Sequence, residues 1–164
     1  MKRIEANDPV AIRFEGTEHY RKGDYRSAFE YWTKAAELGD AWGHFQLSGL
    51  YHDGKGVEKD EKKEIHHLEE ATIRGNPHAR YNLGVHENSY GNFERAVKHW
   101  IIAATQGKDD AIKALMKAFK LGFVKKDVLA AALRAHKAAV DATKSPQRES
   151  AEEFYRSEYG TRVL

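Results

Sequence analysis

Apolar and small residues recur at intervals of three and four positions along most of this chain, with charged residues between them. In one segment, Ala28, Trp32, Ala35 and Ala36 stand at positions i, i+4, i+7 and i+8. This spacing places one apolar stripe along a helix, and its small residues allow a second helix to approach closely. The sequence contains no convincing run of alternating β-branched residues, so it predicts an all-α fold without strands.

The ends of the predicted helices are marked by turn and capping residues. Glycine suits the left-handed residue that closes a helix, and Asp, Asn or Ser before a proline suits the start of one. Such closing glycines are Gly39, Gly75 and Gly107, and such starts are Asp8-Pro9, Asn76-Pro77 and Ser145-Pro146. The predicted helices are nine, near residues 8–22, 25–38, 41–52, 60–74, 77–89, 92–106, 109–121, 127–142 and 146–157.

A two-helix unit is repeated along the chain. The segments "WTKAAELGD", "LEEATIRGN" and "WIIAATQGK" share a pattern in which Trp32, Leu68 and Trp100 precede a glycine by seven residues. A fourth copy, "AHKAAVDAT", keeps the paired alanines and lacks the glycine. Trp32, Leu68 and Trp100 are 36 and 32 residues apart, and repeats of about this length are typical of helical-hairpin arrays. Because one short hairpin cannot bury its own apolar stripe, the copies are expected to stack into a solenoid.

We expect a single domain over residues 1–158. Its repeats would lie at about 8–39, 40–75, 76–107 and 108–142, followed by a C-terminal capping helix at about 146–157. That helix would turn Phe154 inward and its charged residues outward, and residues 159–164 would form a frayed tail.

Three segments resemble Sel1-like repeats, which are related to the tetratricopeptide repeat. They are "ARYNLG" from Ala79 to Gly84, "GKGVEKD" from Gly54 to Asp60, and "KAAELG" from Lys34 to Gly39. The resemblance extends over residues 9–142 and is most specific in the second repeat and the start of the third. It implies a right-handed α-α superhelix of about four hairpins. It also implies a role in assembling signalling, cell-wall or protein-degradation complexes.

The "GKGVEKD" connector has the look of a ligand loop, but its residues favour a simple turn. Lysine stands at position 59, where a dinucleotide fingerprint would have its third glycine. Glu58 stands where a calcium loop needs glycine, and Lys55 stands where an oxygen ligand belongs. The glycines are therefore predicted to turn the chain, with Asp60 capping the next helix.

Composition excludes several classes of function. The 164 residues fit one ordinary domain, and a net charge of +2 gives no argument for nucleic acid as a partner. The chain has no cysteine and so no disulfide or thiolate metal site, and it has no apolar run long enough to span a membrane. We expect a cytoplasmic protein that binds neither a membrane nor a cofactor.

Nine histidines invite a metal site or a catalytic one. His66 and His67 are adjacent on a helix and point about 100° apart, so they cannot chelate one ion together. His67 and His99 occupy equivalent positions in successive repeats and could approach each other, but the pattern places no third ligand. We therefore predict no metal site.

Nucleophilic catalysis has equally little support in the sequence. The chain contains no cysteine and no G-x-S-x-G motif, so we predict no catalytic residues and no enzyme activity. If the protein were an enzyme, its only candidate residues would be His52 and His78 beside Tyr20 or Tyr81.

The resemblance implies a binding groove on the first helix of each hairpin. In the related family, positions six and three before a central small residue, and one and four after it, face the ligand; the centres here are Gly16, Ser48, Gly84 and Met116. The implied lining residues are Arg13, Thr17, Tyr20, Trp42, Phe45, Gly49, His52, His78, Tyr81, Val85, Asn88, Lys113, Lys117 and Lys120, with Val10 and Asp110 at the outer positions of the first and last copies.

Aromatic residues and a row of lysines give this groove its predicted chemistry. Aromatic side chains provide stiff contact area, and lysine pairs with carboxylates. The groove would suit an acidic peptide with an apolar anchor, although Phe45 and Tyr81 could equally be core residues. Gly43 and Gly49 lie on one helix, and we expect the space beside them to admit a group of the partner.

The sequence thus predicts a non-catalytic adaptor or scaffold that binds a protein or peptide. Two alternatives stay open, a substrate-recruiting module of a larger protein of the ubiquitin-ligase or signalling type and a self-assembling structural element. The oligomeric state is not predicted.

Overall fold

Eight helices make up the part of the chain that the structure describes. The computed structural model describes the backbone of residues 8–159 and the side chains of residues 8–144 and 150. The helices are α1 (Pro9–Arg21), α2 (Tyr25–Glu37), α3 (Ala41–Asp53), α4 (Glu61–Ile73), α5 (Pro77–Ser89), α6 (Phe93–Thr105), α7 (Asp109–Lys120) and α8 (Lys126–Tyr159). Over residues 8–159 there is no strand, as the sequence predicts.

The helices pack as hairpins stacked in chain order. The most extensive contacts join α1 with α2, α3 with α4, and α5 with α6. Each hairpin then contacts the next through α2 and α3, α4 and α5, or α6 and α7, while α8 packs on both α6 and α7. The predicted all-α solenoid is therefore confirmed.

The apolar core is a series of separate clusters, each spanning the junction between neighbouring hairpins. Trp32 of α2 packs with Leu47 of α3 in the first cluster. Leu68 of α4 packs with Leu83 of α5 in the second, and α6, α7 and α8 build the third around Trp100. Each hairpin thus buries its stripe against the following one, because it has too little apolar surface to form a core alone.

Glycine makes these close contacts possible in two ways. Gly16 and Gly84 leave space for an indole ring, and Gly43 leaves space for the backbone of α2. A Cβ atom added to Gly84 would lie 2.4 Å from Nε1 of Trp100, and one added to Gly16 would lie 2.6 Å from the indole of Trp32. A Cβ atom on Gly43 would lie 3.0 Å from the backbone nitrogen of Ala36. The prediction that Gly43 leaves room for a partner is therefore wrong, because α2 fills that space.

Asp8, Asp60 and Asn76 cap the helices that the sequence predicts them to start, and Asp40, which the sequence analysis did not single out, caps α3 in the same way. Asp8, Asp40, Asp60 and Asn76 each accept a hydrogen bond from a backbone N–H in the first turn of the helix that follows. In the "GKGVEKD" connector, Gly54 and Gly56 have φ of 69° and 71°, a left-handed conformation that favours glycine. The connector is therefore a turn that leads into the cap of α4.

The end of the chain differs from the prediction. The helices expected at 127–142 and 146–157 form one continuous helix, α8, that runs through Ser145-Pro146. A proline removes one backbone hydrogen bond, but the flanking sequence is rich in strong helix formers such as Ala and Glu, and the helix continues. The expected inward position of Phe154 lies outside the side chains that the structure describes. Although α8 has 34 residues, no helix among the described residues is apolar enough over sufficient length to cross a membrane.

A pair of histidines lies between α3 and α4 that the sequence pattern did not predict. Nδ1 of His44 is 3.0 Å from Nδ1 of His67, and the ring of Tyr51 stacks on His67 with centroids 5.6 Å apart. His67 therefore contacts His44 of its own hairpin, and the approach to His99 of the next repeat is not found. Among the described residues, no group of three or more His, Asp or Glu side chains is placed to hold a metal ion.

Burial makes this pair resist protonation. It lowers the pKa of His44, and burial together with the neighbouring His44 lowers the pKa of His67 to about 4. The surrounding charges are mixed, with His66, Lys63 and Arg74 opposing a positive charge on the pair and Glu70 favouring it. One neutral ring donates its hydrogen to the other, and a second proton would break that arrangement.

We expect Gly84→Ala and Gly49→Ala to change stability in opposite directions. The new methyl group at position 84 would displace the Trp100 indole, so the free energy of unfolding should fall by about 1–2 kcal/mol. A Cβ atom at Gly49 meets nothing within 4 Å, so alanine there should raise stability by up to about 1 kcal/mol through helix propensity. Urea denaturation measures both effects, and changes of the same sign would contradict this packing.

We also expect stability to fall as the pH drops from 7.5 to 5.0. The unfolded state binds a proton at His67 near the usual pKa of about 6.5, whereas the folded state does so only at about 4. The contribution of His67 to the free energy of unfolding is therefore fully present above pH 6.5 and is lost as the pH falls. Because His67 is partly exposed, we expect the free energy of unfolding to fall by about 1–2 kcal/mol. Urea denaturation of His67→Gln is the control, and an equal loss in this variant would rule out the histidine pair as the cause.

Candidate functional site

The predicted groove residues of the second and third repeats meet across the junction between hairpins. The ring of His78 lies 4.9 Å from that of Trp42 and 5.7 Å from that of Phe45, measured between centroids. Trp42 is 39% exposed, whereas Phe45 also packs on the buried cluster around Leu68. We call these three residues the aromatic cluster. Trp42 offers accessible surface, while Phe45 belongs partly to the core.

The predicted residues of the first repeat make contacts within the protein instead. Nε of Arg13 lies 2.9 Å from a carboxylate oxygen of Asp40, and Thr17 donates a hydrogen bond to the carbonyl of Arg13. Tyr20 packs against the first core cluster, and its hydroxyl accepts a hydrogen bond from Nζ of Lys55 at 3.1 Å. These three side chains stabilise the first hairpin through contacts within the protein. They do not line either of the two clefts described next.

A cleft of about 460 Å³ lies between α5, α6 and α7, and we call it the lysine cleft. The predicted groove residues that line it are Tyr81, Val85, Asn88, Lys113 and Lys117. They come from two neighbouring first helices, as the repeat register predicts. Lys120, one turn beyond Lys117, is exposed and does not line the cleft.

The floor and one rim of the lysine cleft come from residues that the pattern did not predict. Val97 and Trp100 of α6 contribute from below, and Phe93 and Phe123 stack at one end with centroids 4.6 Å apart. Phe93 is 41% exposed and Phe123 is 52% exposed. Both follow a turn glycine, where a polar residue is usual, and that was the available signal for an apolar surface.

The charges in the lysine cleft are unevenly paired. Oδ2 of Asp110 lies 2.6 Å from Nζ of Lys108, and Oδ1 of Asp110 lies 3.7 Å from Nζ of Lys113. The hydrogen bond and positive charge of Lys108 lower the pKa of Asp110, so this carboxylate is ionised at neutral pH. Lys117, in contrast, makes no ion pair with a carboxylate of the described chain.

A second cleft, of about 630 Å³, lies between α3, the start of α4, and α5. The predicted residues Gly49, His52 and Val85 line it, and Val85 also lines the lysine cleft. The two clefts therefore adjoin along α5. A Cβ atom added to Gly49 would have no other atom within 4 Å, so the space that was predicted beside it is open.

Glutamates and histidines pair around the second cleft. Nδ1 of His52 lies 3.1 Å from Oε1 of Glu64, and Glu61 accepts hydrogen bonds from Nε2 of His86 and the hydroxyl of Tyr90. These two hydrogen bonds, the one from Tyr90 foremost, lower the pKa of Glu61. The charged residues that line this cleft are Lys59, Asp60, Glu61 and Glu64, so its wall has a net negative charge at neutral pH.

The structure does not assemble the only predicted catalytic candidates. His52 pairs with Glu64, and His78 packs in the aromatic cluster, where burial and then the charge of Lys108 lower its pKa. Neither histidine contacts Tyr20 or Tyr81 within the described part of the chain.

A known family model matches this chain in three places. The Sel1 repeat model matches residues 11–40, 43–76 and 77–108, which together make up more than half of the chain. These segments correspond to the hairpins α1–α2, α3–α4 and α5–α6. The fourth hairpin, α7–α8, is outside the matched residues although it continues the stack.

Two relatives share sequence over 56 residues, 34% of this chain. One is HcpC of Helicobacter pylori, which carries a provisional beta-lactamase name and is 39% identical over 19% of its own length. The other is DAP3-binding cell death enhancer 1 of Rattus norvegicus, 34% identical over 11% of its length. The chain spans less than a fifth of either relative.

Two of the solved structures that are similar to this chain show the shared fold. A Sel1 repeat protein from Oxalobacter formigenes is 25% identical with a TM-score of 0.65, and the match covers 87% of this chain and 60% of that one. A protective antigen of uropathogenic Escherichia coli strains, which displays an SLR fold, is 22% identical with a TM-score of 0.59. That match covers 98% of this chain and 35% of the antigen, and at this identity it speaks for the fold alone.

We expect Arg13→Ala and Lys117→Ala to separate structural residues from accessible ones. Arg13 and Asp40 are only 19% and 10% exposed, so losing the arginine leaves a largely buried carboxylate and should cost about 1–3 kcal/mol of stability. Lys117 has no carboxylate partner to lose in the described chain, and its replacement should change stability by less than about 0.5 kcal/mol. Urea denaturation compares the two, and a large loss for Lys117→Ala would show that it is a structural residue.

Proposed function

This chain belongs to the Sel1 repeat family, and from that premise we propose that it is a non-catalytic adaptor or scaffold whose groove binds a peptide segment of another protein. Sel1 repeats generally act as protein-interaction modules. The bound segment would lie along the first helices of the hairpins, and it would carry an apolar anchor and an acidic residue.

The lysine cleft is the observation that carries this proposal. Its floor of Val97 and Trp100 and its rim of Phe93 and Phe123 offer an apolar surface for an aromatic or aliphatic side chain. Well-packed pockets for such anchors provide most of the binding energy in many interfaces. Lys117 stands at the same cleft without a carboxylate partner in the described chain, so an acidic side chain on the segment would complete the pairing.

Neighbouring surfaces extend the proposed groove beyond this cleft. The adjoining second cleft continues it along α5 toward α3, and the open space beside Gly49 allows close approach of a peptide backbone. The exposed part of Trp42 lies at the other end of α3 and would add aromatic contact area. A segment that spans these features would touch the second, third and fourth repeats.

The described residues give catalysis little support. His19 and Asp24 are paired at 3.0 Å, and the same Asp24 carboxylate accepts a hydrogen bond from the backbone N–H of Ser27 as the cap of α2. Among the described residues, no serine hydroxyl is hydrogen-bonded to His19 as a nucleophile would be. The S-x-x-K motif of class A beta-lactamases is not found, because no serine of this chain is followed by lysine three positions later. The beta-lactamase name of the Helicobacter pylori relative is therefore not carried over to this chain.

The rat relative is named for binding another protein, which fits an interaction module. Its partner is not carried over to this chain, since the shared sequence covers only 11% of that relative. The proposed partner is defined instead by the chemistry of the groove.

We expect a random peptide library displayed on phage to yield binders that combine an aromatic or aliphatic residue with a nearby Asp or Glu. Lys117→Glu should abolish the enrichment of that class, because it places a negative charge where the acidic residue binds. Lys120→Glu is the matched control, with the same charge change one helical turn outside the cleft, and it should keep the enrichment.

Trp42→Ala tests the extent of the groove in the same selection. It should weaken binding of the enriched peptides without changing their acidic residue. If the parent enriches no peptide class, or if Lys117→Glu and Lys120→Glu behave alike, the proposed groove is wrong.

A further inference from the structure

We infer that the lysine cleft prefers a single carboxylate beside the apolar anchor, held by Lys117, and that Asp110 is the specificity-determining residue that disfavours a second carboxylate at Lys113. This inference rests on the proposed function, because it concerns the chemistry of the segment that binds in the same groove.

The charge on the cleft wall fits one acidic side chain. The charged residues that line it are Asp110, Lys113 and Lys117, which leave a net charge of +1. Lys113 and Lys117 stand four residues apart on α7 and therefore on the same face of the helix. Without Asp110 this pair would offer two neighbouring cations, an arrangement suited to an acidic tract.

Asp110 occupies the place where a second carboxylate would bind. Its Oδ1 lies 3.7 Å from Nζ of Lys113, so it already partners that lysine and repels another negative group. Lys113 is 77% exposed and remains within reach of solvent, so the effect of Asp110 is one of selectivity and not of complete occlusion.

Lys108 keeps Asp110 in position. Nζ of Lys108 lies 2.6 Å from Oδ2 of Asp110 and 5.7 Å from the centroid of the Tyr81 ring. The Lys108 side chain is only 17% exposed. Asp110 therefore pairs closely with the largely buried Lys108 and more distantly with the exposed Lys113, and its carboxylate is held at the cleft wall.

Lys117 is the cation that is left for the partner. It lines the same cleft as Val85 and Asn88 of α5, and the side-chain amide of Asn88 can donate a further hydrogen bond to a carboxylate. The apolar floor of the same cleft adjoins these residues. An acidic side chain adjacent to an apolar anchor therefore matches the arrangement, whereas a tract of acids does not.

The test uses a peptide recovered from selection on the intact parent protein, synthesised in two forms. One form carries its single Glu, and the other carries a second Glu one helical turn away. Fluorescence anisotropy measures the Kd of each form. For the parent, the second Glu should give no gain in affinity. For Asp110→Asn, it should give a gain of about two- to fivefold, as expected for an exposed ion pair.

Asp109→Asn is the matched control. It removes the same charge at the neighbouring position, but Asp109 pairs with His136 and does not line the lysine cleft, so the peptide preference should stay that of the parent. Adding Lys113→Gln to Asp110→Asn should remove the gain, because Lys113 is the cation that the second Glu would meet.

The outcomes separate this inference from the proposed function. If no peptide class is enriched on the parent, both fall together. If peptides are enriched but the second Glu improves binding to the parent as much as to Asp110→Asn, the groove stands and the role of Asp110 is overturned. Equal gains for Asp109→Asn and Asp110→Asn would likewise overturn it.

Discussion

The whole structure depends on large side chains of the second helices being pressed against small residues of the first. Trp32 and Trp100 lie where only a glycine, Gly16 or Gly84, leaves space for an indole ring. At the equivalent sequence positions of the second repeat, the large residue is Leu68 and the small one is Ser48, and both are buried. This size matching fixes the distance between the helices of each hairpin, because interiors pack without voids.

The first and second helices both contribute to the core, and the outer face of the first helices differs from one repeat to another. In the first repeat that face is consumed by internal contacts such as the ion pair of Arg13 with Asp40. In the third and fourth repeats it borders the lysine cleft, where Lys117 and the apolar floor remain accessible. The same face of the repeat therefore makes stabilising internal contacts in one copy and borders an accessible cleft in another.

The sequence predicted what is set by local chemistry and by repetition. Caps such as Asp60 and Asn76 were predictable because their side chains bond the first turn of their own helix. The repeat register likewise placed Tyr81, Val85 and Lys117 near one another. That register carries the family resemblance, and seven of the eight helices follow it closely.

What the sequence did not predict depends on contacts between elements. The helix continues through Pro146 because the helix propensity of the flanking residues outweighs one lost hydrogen bond. The sequence prediction ended the helix at this proline without comparing the two effects. The contact of His44 with His67 depends on how two helices face each other, and the space beside Gly43 depends on how near α2 comes. Phe93 is the first residue of α6 and Phe123 lies in the connection between α7 and α8, so their stacking depends on how two separate elements meet.

The division of the core into clusters in series has a consequence for how such a protein can change over evolutionary time. Each cluster spans only one junction. A substitution inside it therefore changes the packing of the adjoining hairpins and has little effect on the hairpins beyond them. A duplicated hairpin can thus be inserted between two others, because its two faces already match the packing surfaces of its neighbours. New recognition chemistry can then arise in one copy while the older copies keep the architecture intact.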